Sequence, residues 1–414
     1  MEFNSFDFIK ELSYPRVSGS TKENKAALRI QDEATKLGIP TIITPFIVDY
    51  YNTLKTELII NGESFLAISI GNSKSTELDG ITGELVYLSD LNDAKTKDIN
   101  NKICLIPERS IDFNFYKYLI NNNIKGIIFC DGNIYNKASI LELEPFIFKE
   151  RFYKYGNTVA ICIHMSDMNK IIANKFKSAS IISIVNSEAR TSYNVIGQIK
   201  GEIYPEEYIV ISAHYDSVAS SIGAYDNLSG VVSLLKIGQY FLNNKPKRSI
   251  KLLWCGSEEA GLLGSKAFIK EIENDIHQYL FNFNIDMVGV TIGYNIIRVS
   301  ADKRLVSYID YYSKIIGYSI DVDLGIYKSD SEVFADNGIP SLTFSRIPHV
   351  KGAKIHSNKD IIDILDLDTL NSNIEYIIGL IDNIVNSKVF PINNEIPYEI
   401  KEELDIYNGR KTKK

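Results

Sequence analysis

Tyr208-Ile209-Val210-Ile211-Ser212-Ala213-His214-Tyr215-Asp216 is the stretch on which the fold turns. Its first six residues form a short, largely apolar run that reads as a buried strand, and the run closes on a histidine. Strand and helix alternate from there on. Residues 230–242 place Val231, Leu234, Leu235 and Ile237 on one face of an amphipathic helix, and 250–254 is the next strand. A helix follows through Gly264 to Ile272. Further strands are expected at 281–285, 296–299 and 341–344, with helices at 305–316 and 370–385. Such alternation marks an α/β layer fold, so a mixed β-sheet flanked by helices is expected.

In an open α/β sheet, the loops after the strands converge on one crevice. His214 closes a strand, Glu258-Glu259 follows one, and Asp286 in Asn284-Ile285-Asp286-Met287 closes another. Asp226 lies in the loop Gly223-Ala224-Tyr225-Asp226-Asn227-Leu228-Ser229-Gly230, and His356 in Ile355-His356-Ser357-Asn358. One histidine at a strand end is more often structural than a ligand. Two imidazoles and three carboxylates in such places are a ligand set for a pair of zinc-like ions that share one carboxylate. Asp226, between two glycines, is the candidate bridge. Asp216, two residues past His214, can accept the second imidazole N–H and fix the tautomer. The doubled Glu258-Glu259 sits between Gly256-Ser257 and Ala260-Gly261 at the end of an apolar strand. One of the two suffices for a metal, which leaves the other free to act as a general base.

Outside this region the chain changes texture. Ala26, Ala27, Ile30, Ala34 and Leu37 recur at helical spacing, Gly38 stops the helix, and residues 40–45 resume as extended chain. Residues 57–188 carry short β-rich runs at 66–70, 102–106 and 159–163 and a helix–strand unit from Phe115 to Cys130. Their ionisable residues form no recognisable site, and His164, the segment's histidine, reads as packed. The domains expected are therefore 1–56 and 189–400 as parts of a catalytic domain, 57–188 as an insert, and 401–414 as a tail. With 414 residues, two domains are the prior in any case.

A net charge of −7 argues against a nucleic-acid partner. Cys104, Cys130, Cys162 and Cys255 lie in apolar runs without CxxC spacing and read as buried free thiols. No apolar run approaches the roughly 20 residues of a membrane span. The first residues, Met1 to Asp7, have neither a basic nor an apolar signal region, so a cytoplasmic enzyme without membrane attachment is expected.

Together the motifs resemble the di-zinc aminopeptidase family of clan MH, in the branch with an inserted protease-associated domain. The matching stretches are 213–217, 223–230, Ser257-Glu258-Glu259-Ala260-Gly261-Leu262-Leu263-Gly264-Ser265, 284–289 and His356-Ser357-Asn358-Lys359-Asp360. Tyr14-Pro15-Arg16-Val17-Ser18-Gly19-Ser20 is similar to the family's opening segment, and residues 192–197 to its re-entry strand. The resemblance implies a zinc exopeptidase fold with a β-rich, protease-associated-like insert. It implies two zinc ions, one held by His214, Asp226 and Asp286 and the other by Asp226, Glu259 and His356. It further implies Glu258 as general base, Asp216 as the partner of His214, and a cis peptide at Asp226-Asn227.

The chain departs from the family at Ser329-Asp330-Ser331, where relatives commonly read Ser-Asp-His. Lys328 stands where some relatives have an arginine that binds substrate. A lysine keeps the charge but lacks the planar fork, and Tyr327 is the rival for that role. The expected activity is release of N-terminal residues from peptides. The alternatives are a carboxypeptidase or dipeptidase, for which Arg298, Arg304 or Arg346 would receive a carboxylate, and a glutaminyl cyclase-like acyltransferase. A binding module without catalysis is the remaining class, and intact ligands argue against it.

Overall fold

The computed structural model describes residues 3–144 and 146–411. The chain divides into two compact units, Met1–Val48 with Arg190–Lys414, and Asp49–Ala189. The chain passes between them within the long strands Thr41–Ile60 and Ser178–Ile199.

The larger unit is built on four parallel neighbours, in the order Arg248–Cys255, Tyr204–His214, Tyr279–Ile285 and Ser341–Pro348. Gly293–Ser300 adds antiparallel beyond Ser341–Pro348, and Asp321–Leu324 adds parallel beyond that. At the other side residues 195–199 run antiparallel to 250–254. The sheet is mixed and helices accompany it, as the alternation requires. Register then fixes the site: Cys255 stands opposite His214, and Asn284 opposite Ser212. Asp286, two residues beyond Asn284, is therefore level with His214, and the Glu258-Glu259 loop leaves the sheet beside them.

The helix Ser229–Asn243 is more deeply covered than a one-face reading suggests, with Val232 and Ser233 buried as well as Val231, Leu234, Leu235, Ile237 and Phe241. Its Gly238 permits this, because a Cβ there would come within 2.5 Å of Ile39 Cδ1 and 2.7 Å of Leu252 Cδ1. The helix Thr21–Lys36 buries Ala26, Ala27, Ile30 and Ala34 in the same core. An N-terminal helix, Ser5–Leu12, precedes it and was not legible as a separate element.

Within Asp49–Ala189, Ile81–Tyr87, Ile103–Leu105, Gly126–Asp131 and Val159–His164 pair in parallel, with Ala67–Ser69 antiparallel at Val159–His164. Helices Phe113–Asn121 and Met165–Ala173 accompany them, so this unit is itself a small α/β layer rather than strands alone. Two hydrophobic clusters form its core. His164 is fully buried, with Nδ1 2.8 Å from Ser166 Oγ and Nε2 3.1 Å from Glu142 Oε2.

All four cysteines are buried and free. Past residue 400 the chain is helical to Tyr407, with Ile400 and Leu404 buried, where a tail was expected. Arg410 then pairs with Asp405 and Asp336, while residues 412–414 lie outside the described part. Among the described residues no helix is long and apolar enough to cross a membrane.

Candidate metal centre

Five side chains, two at strand ends and three in loops, meet at the C-terminal edge of the parallel strands. His214 Nε2 lies 3.1 Å from Asp226 Oδ1 and 3.4 Å from Asp286 Oδ1. His356 Nε2 lies 3.3 Å from Asp226 Oδ2 and 3.1 Å from Glu259 Oε2. In each of the groups His214–Asp226–Asp286 and Asp226–Glu259–His356, the potential ligand atoms all fall within 4.8 Å of one another. Asp226 belongs to both, and turns one oxygen to each.

Local sequence explains how Asp226 reaches this place. Gly223 opens the loop with φ +56°, and a Cβ on it would meet Asp226 O at 2.5 Å and an Arg16 nitrogen at 2.7 Å. The Asp226–Asn227 peptide is cis. Asn227 then ties the loop to the neighbouring strand end: its Oδ1 accepts from Gly230 N at 2.9 Å and Met287 N at 3.1 Å, and its Nδ2 donates to Ile285 O at 2.9 Å. One amide side chain thus fixes the spacing between Asp226 and Asp286.

Asp216 sits 3.5 Å from His214 Nδ1. Its stronger contacts lie elsewhere, for Oδ1 accepts from Glu258 N at 2.9 Å and Oδ2 from Glu259 N at 3.1 Å. The residue next to one histidine therefore also holds the backbone of the paired glutamates.

Electrostatics set the members apart. Burial pushes the Glu258 carboxyl well above the usual range; His214 opposes this, while Glu259, Asp330 and Asp286 add to it. Burial also raises Glu259 to about 7, with Asp226 reinforcing and His356 opposing. Burial works against ionisation of Asp226 too, but its hydrogen bonds to His214 and His356 outweigh that and hold its carboxyl low. For His214, burial alone would lower the value, and Glu258, Asp216, Asp226 and Asp286 together lift it well above 6.5. A buried set this acidic calls for cations. Glu259 Oε1 and Asp286 Oδ1 are buried without a hydrogen-bond partner, which fits donors aimed at metal rather than at protein. Imidazole and carboxylate together suit zinc.

Tyr327 and Lys328 part company. Tyr327 is half-buried, its hydroxyl 3.3 Å from Ser345 Oγ, and burial followed by the Asp286 charge pushes its phenol up. Lys328 is exposed, with its ammonium 5.7 Å from the Tyr407 ring centre and no ion pair to the clustered carboxylates among the described residues. The cation expected at the substrate thus faces the C-terminal helix, and its neighbour faces the acids.

Residues that sequence reasoning passed over hold the site together. Arg16 is fully buried. Its guanidinium donates to Tyr215 O at 2.6 Å, Ile222 O at 2.6 Å, Leu12 O at 2.8 Å, Tyr14 O at 2.9 Å and Gly223 O at 3.0 Å. Asp360 accepts from Tyr225 N at 2.7 Å and Asp226 N at 3.1 Å, which braces the bridging loop from behind. Both lie inside stretches that resemble the family's motifs, and that resemblance was the available signal.

Residues 194–381 match the model of peptidase family M28. Aminopeptidase YwaD of Bacillus subtilis (strain 168) is 29% identical over 299 residues, 70% of this chain and 62% of that protein. The aligned stretch thus spans less than two thirds of that relative. An aminopeptidase from Aneurinibacillus sp. strain AM-1 superposes with a TM-score of 0.75 at 25% identity, covering 95% of this chain and 96% of that one. A zinc aminopeptidase from Bacillus subtilis superposes at 0.77 with 23% identity, over 94% and 98% of the two chains, and so shares the fold.

Proposed function

We propose that this chain, whose residues 194–381 match the model of peptidase family M28, is a zinc-dependent aminopeptidase of that family with two ions per chain. The observation that carries this reading is the division of Asp226, one oxygen at 3.1 Å from His214 Nε2 and the other at 3.3 Å from His356 Nε2. A carboxylate shared in this way is what a pair of neighbouring cations needs. His214, Asp226 and Asp286 would hold one ion, and Asp226, Glu259 and His356 the other. Bound zinc supplies Lewis-acid polarisation of the scissile carbonyl and makes water acidic enough to attack near neutral pH.

The protein's own groups do the rest. Glu258 takes the proton of the attacking water and returns it to the leaving amine, which suits a carboxyl whose pKa burial has raised. Asp216 holds the amides of Glu258 and Glu259 and sets its charge 3.5 Å from His214 Nδ1, a buried atom without a hydrogen-bond partner among the described residues. Tyr327 is the side chain assigned to substrate oxygen. The surplus of carboxylates favours a free α-amine over an acylated one. The Asp49–Ala189 unit, read as a protease-associated-like insert, is assigned no ligand, since both ligand groups found among the described residues lie outside it.

The carboxypeptidase alternative needs a cation for the substrate carboxylate. Arg298 is instead engaged with Asp321 and Arg304 with Asp302, while Arg346 donates to Val290 O and Asn295 Oδ1. A cyclase needs one metal and has no use for the second group. Digestion of an unblocked and an N-acetylated peptide, with chelator and then with added zinc, tests the proposal. A zinc-dependent ladder from the N-terminus of the unblocked peptide alone is expected. Shortening from the C-terminus, or full activity after metal removal, overturns it.

A further inference from the structure

Glu23 begins as an ordinary helix residue. It is the third residue of the helix Thr21–Lys36, and Ser20 caps that helix by accepting from Glu23 N at 3.1 Å. A glutamate at this position ordinarily reaches back to satisfy a backbone amide at the helix start, and Glu23 Oε2 does accept from Gly19 N at 2.6 Å. Its other oxygen does something that capping does not require. Oε1 accepts from Ser257 Oγ at 2.8 Å and from Ser192 Oγ at 2.9 Å. Ser18 Oγ adds a contact of 2.7 Å to Ser257 Oγ. Glu23 is fully buried, and among the described residues no lysine, arginine or histidine forms an ion pair with it. Burial, with Asp216 adding to it, pushes this carboxyl up to about 8 against the hydrogen bonds from Ser257, Gly19 and Ser192, and a helix cap alone does not call for so deep a placement.

Ser257 is the residue before Glu258, and its φ is +56°. A serine in the left-handed region is strained and stays there only if its surroundings hold it. Glu23 grips this side chain from one side, while Asp216 grips the amides of Glu258 and Glu259 from the other. We propose that Glu23, 235 positions earlier in the sequence than Glu258, is a positioning residue that locks the turn at Ser257 and thereby aims the Glu258 carboxylate at the attacking water. The inference rests on Glu258 acting as the base.

Four variants test it: Glu23→Ala, Glu23→Gln, Ser257→Ala and the double Glu23→Ala/Ser257→Ala. Turnover of an aminoacyl anilide, zinc content and melting temperature are measured on each zinc-loaded full-length protein. Glu23→Ala is expected to lower kcat by about 10- to 100-fold, the scale of a misplaced catalytic group. KM and zinc content should stay within about twofold of wild type on the same argument. Glu23→Gln keeps an oxygen for both hydroxyls and should recover most of the loss. The double variant should be no slower than the slower single one, because both break the same link. Unchanged kcat in folded Glu23→Ala, kcat loss that follows zinc loss, or losses that multiply in the double variant overturn the proposal. Should Glu23→Ala not fold, Ser257→Ala reads the same link from its other end, since it removes the hydroxyl that Glu23 holds: unchanged kcat in folded, zinc-loaded Ser257→Ala overturns the proposal. Glu258→Gln separates the two levels: if it stays active, the base assignment has failed. If it is dead while the Glu23 variants are normal, only the positioning role has failed.

Discussion

The two oxygens of Asp226 face different histidines, and Glu258 and Glu259, adjacent in sequence and proposed for different tasks, face different neighbours. Glu259 Oε2 points at His356, whereas the strongest charge beside Glu258 is that of His214. The roles predict opposite consequences for loss of a carboxylate. Asp226→Ala should lose zinc and activity together. Glu258→Gln should keep the full zinc content and lose about 10²- to 10⁴-fold in kcat, the usual worth of a general base. Metal analysis beside steady-state kinetics reads both. Zinc lost from Glu258→Ala but retained in Glu259→Ala would exchange the two assignments. The five side chains that could hold metal stand out in the sequence because each is at a strand end or in the loop after one, where the α/β pattern already places chemistry, and the structure brings them into two groups sharing Asp226. The direction of Lys328 is a different matter, because a match of charge at one position says nothing about which way an exposed side chain turns. It turns to Tyr407.

At the scale of elements, what stayed hidden is the N-terminal segment. The pattern at 26–37 shows a helix, and the structure has it, but nothing local tells that the turn before it carries a clamp. Arg16 joins Leu12 and Tyr14 to Tyr215, Ile222 and Gly223, about 200 positions later in sequence. Bonds to backbone carbonyls leave no trace in the partner's side-chain identity, so no sequence pattern predicts them. Glu23 and Asp360 are hidden for the same reason: one bonds hydroxyls of common serines, the other main-chain amides. Replacing Arg16 by methionine fills the space but removes five donated hydrogen bonds to backbone carbonyls and the positive charge beside Asp216 and Asp360. The loss should be about 3–5 kcal/mol, as for other buried charges deprived of their partners. For a unit of this size that corresponds to a fall of about 6–12 °C in the thermal midpoint of the zinc-loaded protein. A midpoint within about 2 °C of wild type contradicts the clamp, since that is under about 1 kcal/mol.

The whole molecule answers to pH through this same concentration of acids. Unfolded carboxyls titrate near about 4. In the folded, metal-stripped protein, burial pushes Asp330 up to about 6, and Glu259 and Asp360 up to about 7. Between those limits the folded form binds more protons than the unfolded one, so its stability falls as pH rises. His214 acts in the same direction: raised well above 6.5 by its acidic neighbours, it contributes stability at low pH that is lost as pH climbs through its folded value. Asp226, held low by the two histidines, works the opposite way, but only below about pH 4, where its unfolded form protonates. Zinc binding reverses the balance, because it requires ionised carboxylates and neutral imidazoles and releases the protons they carried. The gain in melting temperature on adding zinc to stripped protein should therefore grow steadily from about pH 5 to about pH 8. Thermal scans at unit intervals, with chelator and with zinc, measure it directly. A gain that is flat or shrinks across that range would mean that these carboxyls and histidines are not what the metal displaces protons from, and the centre would lie elsewhere.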